Sequence, residues 1–228
     1  MTPVEAEALR LSLWVSGWAV AASLPPGILC AWLLARRHFP GKSLVDGIIH
    51  LPLVLPPVVV GYFLLVGFGR RGMIGAWLYE TFNVTFAFNW KGAALASAVI
   101  SFPLLVRAVR LSLESVDQGL EQAARTLGAG PLRVFFTITL PLVAPGVITG
   151  SILAFARSLS EFGATITFVS NIPGETRTLP IALYTLTQTP GGDVGAFRLC
   201  VISVVVAMVA LLASEILSRR VARRMEGL

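Results

Sequence analysis

The sequence predicts an all-α integral membrane protein with about five transmembrane helices. Hydrophobic residues make up 55% of its 228 positions, charged residues make up only 13%, and the mean hydropathy is +0.79. A soluble domain of this length carries about 25% charged residues, and its single core is too small to hide so much apolar surface. We therefore expect one transmembrane domain over residues 1–228.

The spans follow from the lengths of the apolar runs, because a helix needs about 20 apolar residues to cross the hydrocarbon core. The predicted spans cover about residues 11–34, 47–69, 92–106, 142–169 and 199–217. Pro25-Pro26 interrupts the first run, and the second begins with a proline-rich half. Prolines at such depth are tolerated where neighbouring helices or water satisfy the released carbonyl groups. This pattern favours a helix bundle around a pathway.

An odd number of spans places the two termini on opposite sides of the membrane, and the basic residues predict which side each takes. Cytoplasmic loops carry an excess of Lys and Arg. A cytoplasmic C-terminus puts eleven basic residues inside: Arg36, Arg37, Lys42, Arg107, Arg110, Arg125, Arg133, Arg219, Arg220, Arg223 and Arg224. Six then lie outside: Arg10, Arg70, Arg71, Lys91, Arg177 and Arg198. An extra helix or re-entrant segment between Phe82 and Phe88 would change this count.

Other classes of function are disfavoured. The net charge of +6 suits nucleic-acid binding, but the basic residues lie mostly at the ends of apolar runs, so we expect no nucleic-acid partner. Cys30 and Cys200 lie inside apolar runs and are predicted to be packing residues. Gly41-Lys42-Ser43 matches the end of a nucleotide-binding loop, but that motif needs glycine where Arg36 stands. We predict no catalytic residues, no metal site and no cofactor.

The predicted cytoplasmic loop, residues 107–141, carries most of the functional information. Its first half predicts a short helix, for which Ser115 has capping-box spacing to Gln118 and Asp117 is an alternative N-cap. Apolar residues then recur at helical spacing and form one narrow face. That face consists of Leu120, Ala123, Ala124 and Leu127.

The second half of the loop predicts a turn and another short helix. Gly128 suits the left-handed position that follows a helix, and the next helix is expected to begin near Pro131 and end before Pro141. A helix with alanines on its apolar face fits a groove in another protein. The same helix also fits the lipid headgroup region. The residues alone leave both interpretations open.

This loop resembles the EAA loop of ABC-importer permeases. The family pattern is Glu-Ala-Ala, three residues, Gly, nine residues, Ile, one residue and Leu-Pro. The matching positions here are Gln122, Ala123, Ala124, Gly128, Ile138, Leu140 and Pro141. Gln122 stands where the pattern has Glu, and Glu121 precedes it, so either side chain is a candidate for the polar contact. The resemblance implies that the loop docks on a cytoplasmic ATPase, with two ATPase subunits in the complex.

The resemblance narrows within that family. The segments 39–62, 124–142, 156–180 and 184–193 are similar to molybdate permease subunits of bacterial importers. Sulfate permeases share the EAA loop, but residues 170–193 are more similar to the molybdate group. The resemblance implies a homodimer in the bacterial inner membrane, a periplasmic molybdate-binding protein, and molybdate or tungstate as substrate. A sulfate or thiosulfate permease is the alternative, and a stand-alone secondary transporter is disfavoured because no inverted repeat is visible.

The fourth span carries two further patterns. Small residues recur every four positions at Gly146, Gly150, Ala154 and Ser158. They predict close helix packing, either at a dimer axis or within one subunit. Arg157 and Glu161 are charges within an apolar run, and such residues usually pair. A neutralising ion pair is the first interpretation, and a positive potential offered to a passing oxyanion is the second.

Overall fold

The computed structural model describes the backbone of residues 2–226 and the side chains of residues 2–213 and Ile216. Arg219, Arg220, Arg223 and Arg224, which were counted on the inner side, therefore have side chains outside the described part. The helices are α1 (Pro3–Arg36), α2 (Lys42–Val54), α3 (Pro57–Phe68), α4 (Met73–Phe82), α5 (Trp90–Ser115), α6 (Gln118–Thr126), α7 (Pro131–Val134), α8 (Leu140–Leu159), α9 (Gly163–Val169), α10 (Leu179–Thr187) and α11 (Asp193–Glu226). A π-helical turn, Phe135–Thr139, joins α7 to α8.

The predicted all-α membrane fold is confirmed. Within residues 2–226, four helices are long and apolar enough to cross a membrane: Pro3–Arg36, Trp90–Ser115, Pro131–Leu159 and Asp193–Ala213. The pair α2 and α3 supplies a fifth crossing if it is counted as one bent span. The sequence prediction of about five spans agrees with this count.

Helix α1 is longer than predicted and continues through Pro25 and Pro26 without interruption. It begins at Pro3 because Thr2 and Glu5 form a capping box, in which each side chain accepts from the other's backbone N–H. The buried Glu5 carboxylate lies 3.0 Å from Arg198 in α11. The apolar run alone predicted a helix start eight residues later, at residue 11. The pairing of Glu5 with Arg198 explains how the helix accommodates an acidic residue before that point.

The predicted second span, 47–69, is two helices rather than one. Helices α2 and α3 are bent by 114° relative to each other at Leu55 and Pro56. Leu55 has ψ 142° and Pro56 has ψ 132°, so both are extended. A residue that precedes proline is pushed out of the helical region by the proline ring. Each of these two residues precedes a proline, and together they produce the bend.

Helix α5 is the central helix of the bundle and packs against both α1 and α8. It ends at Ser115, so its last turns occupy positions that the sequence assigned to the cytoplasmic loop. These turns are held by Arg110, which donates to Glu114 at 2.8 Å and to Asp46 of α2 at 2.9 Å. Arg110 and Glu114, which the sequence assigned to the loop, are therefore paired along a helix.

The predicted end of a helix before Pro141 is wrong, because α7, the π-helical turn and α8 form one continuous helix from Pro131 to Leu159. Proline normally disturbs a helix because it lacks an N–H and its ring crowds the carbonyl four residues earlier. Here the N–H of Leu140 donates to the carbonyl of Phe135, five residues back. This wider turn directly precedes Pro141 and accommodates it.

The predicted fourth span, 142–169, also divides into two elements. Helix α8 ends at Leu159, and the short helix α9 begins at Gly163. Helix α9 packs against α3, and Val60, Ile100 and Phe168 form a core cluster with neighbouring buried residues. Helices α4 and α10 were not predicted, and α11 begins at Asp193, earlier than the predicted start near 199.

Candidate coupling site and charged pairs of the bundle

Helix α6 is closed at both ends by local hydrogen bonds. The side chain of Asp117 accepts from the N–H of Gly119 at 2.8 Å, which confirms Asp117 rather than Ser115 as the N-cap. At the other end, Gly128 has φ +86°, in the left-handed region. The N–H of Gly128 donates to Arg125 and that of Ala129 donates to Ala124, both at 3.0 Å. These two hydrogen bonds satisfy carbonyl groups at the C-terminal end of α6 and close the helix there.

The apolar face of α6 is largely uncovered by the rest of the chain. Leu120 is 50% exposed and Leu127 is 88% exposed, and Ala123 is also exposed. Ala124 is half-buried. Large apolar side chains that stand together on a surface mark a contact with another molecule. The face predicted from the sequence is therefore present and lies open at one end of the bundle.

Glu121 lies on the inner side of α6 and connects it to two other elements. Its Oε1 accepts from Nη2 of Arg36 at 3.0 Å and from the hydroxyl of Thr139 at 3.0 Å. The side chains of Arg36 and Glu121 are only 9% and 13% exposed. Gln122 is exposed. The two neighbouring polar residues thus differ, since Glu121 faces the bundle and Gln122 faces away from it.

The remaining positions of the loop pattern lie in the continuous helix from Pro131 to Leu159. Ile138 belongs to the π-helical turn, and Leu140 and Pro141 begin α8. Ile138 and Leu140 are half-buried, whereas Pro141 is exposed. The π-helical turn also contains Thr139, the buried partner of Glu121. These positions therefore shape the segment that receives the inner side of α6.

Arg157 and Glu161 form an ion pair at the break between α8 and α9. Nη1 of Arg157 lies 2.8 Å from Oε2 of Glu161, whose side chain is 1% exposed. The other carboxylate oxygen of Glu161 accepts from the N–H of Ala164 at 2.8 Å. Both oxygens are engaged, and the pair is neutral as a unit. This geometry favours a structural role at the break over attraction of a passing anion.

The small-residue stripe of α8 lies against α5 within the same chain. A Cβ atom on Gly146 would overlap Ser112, and one on Gly150 would lie 3.1 Å from Ala108 Cβ. Ala154 is fully buried. The hydroxyl of Ser158 donates to the hydroxyl of Ser101 at 3.2 Å. Close approach of the two helix backbones requires these small residues.

Two residues of the candidate coupling site were not predicted from the sequence. The sequence identifies Arg36 only as an inner basic residue and carries no local signal for Thr139. Arg36 precedes Glu121 by 85 positions, and nothing in the local pattern joins them. The position of Arg36 at the end of the first span, on the same side as the loop, was the available signal.

Comparisons with known proteins agree with this architecture. Residues 24–225 match the family described as the inner membrane component of binding-protein-dependent transport systems. The molybdenum transport system permease protein ModB of Escherichia coli (strain K12) is 68% identical over 219 residues, which cover 96% of each chain. The sulfate transport system permease protein CysW of Synechocystis sp. is 35% identical over 216 residues, covering 93% of this chain and 76% of the relative.

A solved structure gives the same fold. The crystal structure of a bacterial ABC transporter involved in the import of alginate contains a chain that matches with a TM-score of 0.76 and 20% identity, covering 96% of this chain and 80% of that chain. At this identity the similarity concerns the fold alone. Two observations identify the family of this chain: its helices are long enough to span a membrane, and the family model matches residues 24–225. The chain belongs to the family of multi-pass inner-membrane components of binding-protein-dependent transport systems.

Proposed function

We propose that this chain is the membrane-spanning subunit of an ATP-driven importer that moves molybdate into the cytoplasm. The strong similarity to a molybdenum transport permease supports molybdate as the substrate, since the sulfate relative is much less similar. Tungstate is the expected second substrate, because it is also a tetrahedral dianion of similar size. A periplasmic binding protein selects the anion, since hydrogen bonds in a closed cleft can distinguish shapes.

The open apolar face of α6 is the observation that carries the proposal. Leu120 and Leu127 stand exposed on a helix whose two ends are capped and whose inner side is bound to the bundle. A capped amphipathic helix with this arrangement fits a hydrophobic groove in a partner protein. In our proposal the partner is a cytoplasmic ATPase subunit, and Gln122 lies at the rim of the contact.

Glu121 supplies the mechanical connection from α6 to the spans. Its carboxylate holds Arg36 at the end of α1 and Thr139 in the π-helical turn before α8. A displacement of α6 by a closing ATPase therefore acts on two spans at once. The wide turn at Phe135–Thr139 is a local irregularity of a kind that is frequent at functional sites in helices. The movement of these spans changes the side of the membrane to which the pathway opens.

The proposed assembly contains two copies of this chain and two ATPase subunits. One chain with about five crossings is too small to enclose a wide pathway, and two-fold symmetry is the commonest way to build one from identical chains. Only 11% of the apolar stretch of α11 between Asp193 and Ala213 is buried within the chain. This helix therefore offers an extensive apolar surface to lipid or to a second copy.

The proposed orientation places the N-terminus in the periplasm and the C-terminus in the cytoplasm. Contact with an ATPase places α6 on the cytoplasmic side, and the bond between Arg36 and Glu121 brings the end of α1 to that side. The start of α1 then lies outside. The excess of basic residues on the inner side agrees with this orientation.

The test is uptake of labelled anions into proteoliposomes that contain this chain with its ATPase and binding protein. We expect ATP-dependent accumulation of molybdate and little accumulation of sulfate. Equal or greater uptake of sulfate would favour the sulfate permease. Uptake that follows an ion gradient without ATP would favour a secondary transporter.

A further inference from the structure

A cavity of about 310 Å³ lies at the end of the bundle opposite α6. The start of α1, the segment before α10, α10 itself and the beginning of α11 form its walls. The last residue of α1, Arg36, contacts α6, and a helix of 34 residues extends about 50 Å. The cavity therefore lies at the other membrane face. Its volume is at the lower end of the range for ligand pockets, which suits a small ligand.

One wall of the cavity presents an arginine whose position is fixed. Nε of Arg177 donates to Asn171 at 2.8 Å, and the Asn171 amide in turn donates to the hydroxyl of Thr185 at 2.8 Å. Among the side chains that the structure describes, none accepts from the terminal amino groups of Arg177. The guanidinium is thus oriented through Nε while its two terminal groups remain available for a ligand.

A second arginine, Arg198 of α11, also lines the cavity, and its Nε is likewise engaged by a neighbouring residue. Nε of Arg198 lies 3.0 Å from Oε1 of Glu5, whose side chain is 4% exposed. The other carboxylate oxygen of Glu5 accepts from the N–H of Thr2 at 2.7 Å. The carboxylate is therefore engaged by the protein. With two arginines and one glutamate in its walls, the cavity carries a formal charge of +1.

We infer that this outer cavity binds a tetrahedral oxyanion between Arg177 and Arg198. Planar guanidinium groups bind oxyanions through paired, charge-assisted hydrogen bonds. Ala182, Leu186 and Leu199 form an apolar part of the wall, and low polarity there strengthens the attraction. Arg198 remains 53% exposed, which keeps the site accessible and weak enough to release its ligand.

The identity of the anion rests on the proposed function, which makes it molybdate received at the outer face before transport. Arg177, Ala182, Thr185 and Leu186 all belong to residues 170–193, the segment that the sequence associates most closely with molybdate permeases. The phosphate of a lipid headgroup has the same chemistry and is the other possible source of the oxyanion. The site is otherwise unrelated to α6 and does not depend on ATPase docking.

The test is equilibrium binding of labelled molybdate to the purified permease–ATPase complex in a maltoside detergent, without binding protein or nucleotide. We expect Arg177→Gln to weaken binding about tenfold, because it removes charge-assisted hydrogen bonds. The double variant E5Q/R198Q should have a similar effect without leaving Glu5 as an unpaired buried charge. Arg71→Gln, an exposed arginine outside the cavity, is the matched control and should bind normally.

Mass spectrometry of retained lipids identifies the source of the oxyanion. Loss of a phospholipid in Arg177→Gln, with molybdate binding unchanged, would assign the site to a lipid headgroup. Unchanged molybdate binding and unchanged lipid content in both cavity variants would overturn the inference. Molybdate transport by the wild-type complex tests the proposed function separately. Molybdate transport together with unchanged binding in both cavity variants would rule out the binding site alone. Oxyanion binding at the cavity without molybdate transport would rule out the proposed function alone.

Discussion

The guanidinium of Arg36, the last residue of α1, lies 3.0 Å from the carboxylate of Glu121 in α6. We expect Glu121→Gln to reduce the number of anions transported per ATP hydrolysed, because α6 then loses its charged connection to α1. The stability of the complex should also fall by roughly 3 kcal/mol, since Arg36 becomes a mostly buried, unpaired charge. The ratio of anions transported to ATP hydrolysed is measured in proteoliposomes that contain the complex, and the stability is measured by thermal unfolding.

Glu114→Gln is the control for this prediction. Glu114 also pairs with an arginine, Arg110 at 2.8 Å, but its side chain is 43% exposed. Exposed pairs contribute about 0–1 kcal/mol, and this pair joins two residues of α5. A transport ratio that falls equally in both variants, or in neither, would contradict the role assigned to Glu121.

Gly128 tests the closure of α6. Its φ of +86° disfavours any side chain, at a cost of about 1–2 kcal/mol. A Cβ atom there meets no other atom within 4 Å, so the expected effect is conformational rather than steric. We expect Gly128→Leu to uncouple ATP hydrolysis from transport while membrane insertion stays normal.

Gly130 is the matched position for that test, because it also has open space around its Cβ but has φ −66°. Gly130→Leu should retain most transport. Wild-type transport in Gly128→Leu, measured with the same proteoliposomes, would show that the left-handed turn is not required for coupling.

Arg157→Ala is expected to impair assembly more than anion preference. Removal of Arg157 leaves Glu161, 1% exposed, without its charged partner. The cost should be about 3 kcal/mol, the lower end of the range for a broken buried pair, because Arg157 is 30% exposed. The double variant R157A/E161Q should recover part of this loss. Normal assembly with an altered preference between molybdate and sulfate would instead favour a role in the pathway.

The packing of α8 on α5 makes a further prediction. Gly146→Ala adds a methyl group that overlaps Ser112, so we expect a loss of about 1–3 kcal/mol in detergent unfolding experiments. Gly17→Ala in α1 is the control, because no atom lies within 4 Å of its Cβ, and this change should be neutral or slightly stabilising. Equal stability of the two variants would argue against the close contact.

Local signals in the sequence predicted the local features of the coupling site. Asp117, the alternative N-cap to Ser115, caps α6, and Gly128 takes the expected left-handed turn, because each feature depends on a few consecutive residues. The fold class followed from composition for a similar reason, since the membrane restricts spanning chains to a small set of structures. The helical spacing of Leu120 and Leu127 likewise defined the face that the structure leaves open.

Features that depend on distant contacts were not predictable from one sequence. Proline spacing indicated that the second run was irregular, but it gave neither the 114° angle nor the packing of α3 against α9. The continuation of the helix through Pro141 depends on the π-helical turn before it. The partner of the small-residue stripe was open between a second copy and the same chain, and only the position of Ser112 and Ala108 identifies α5.

Cross-linking from the open face of α6 reports whether this helix contacts the ATPase subunit. A photo-reactive residue at Leu127, which is 88% exposed, should react with the ATPase subunit in the assembled complex. The same residue at Met73, which is 87% exposed but begins α4 rather than lying on the proposed docking helix, should not react with it. A complex that hydrolyses ATP and imports molybdate without a cross-link from Leu127 or Leu120 to the ATPase would contradict the account.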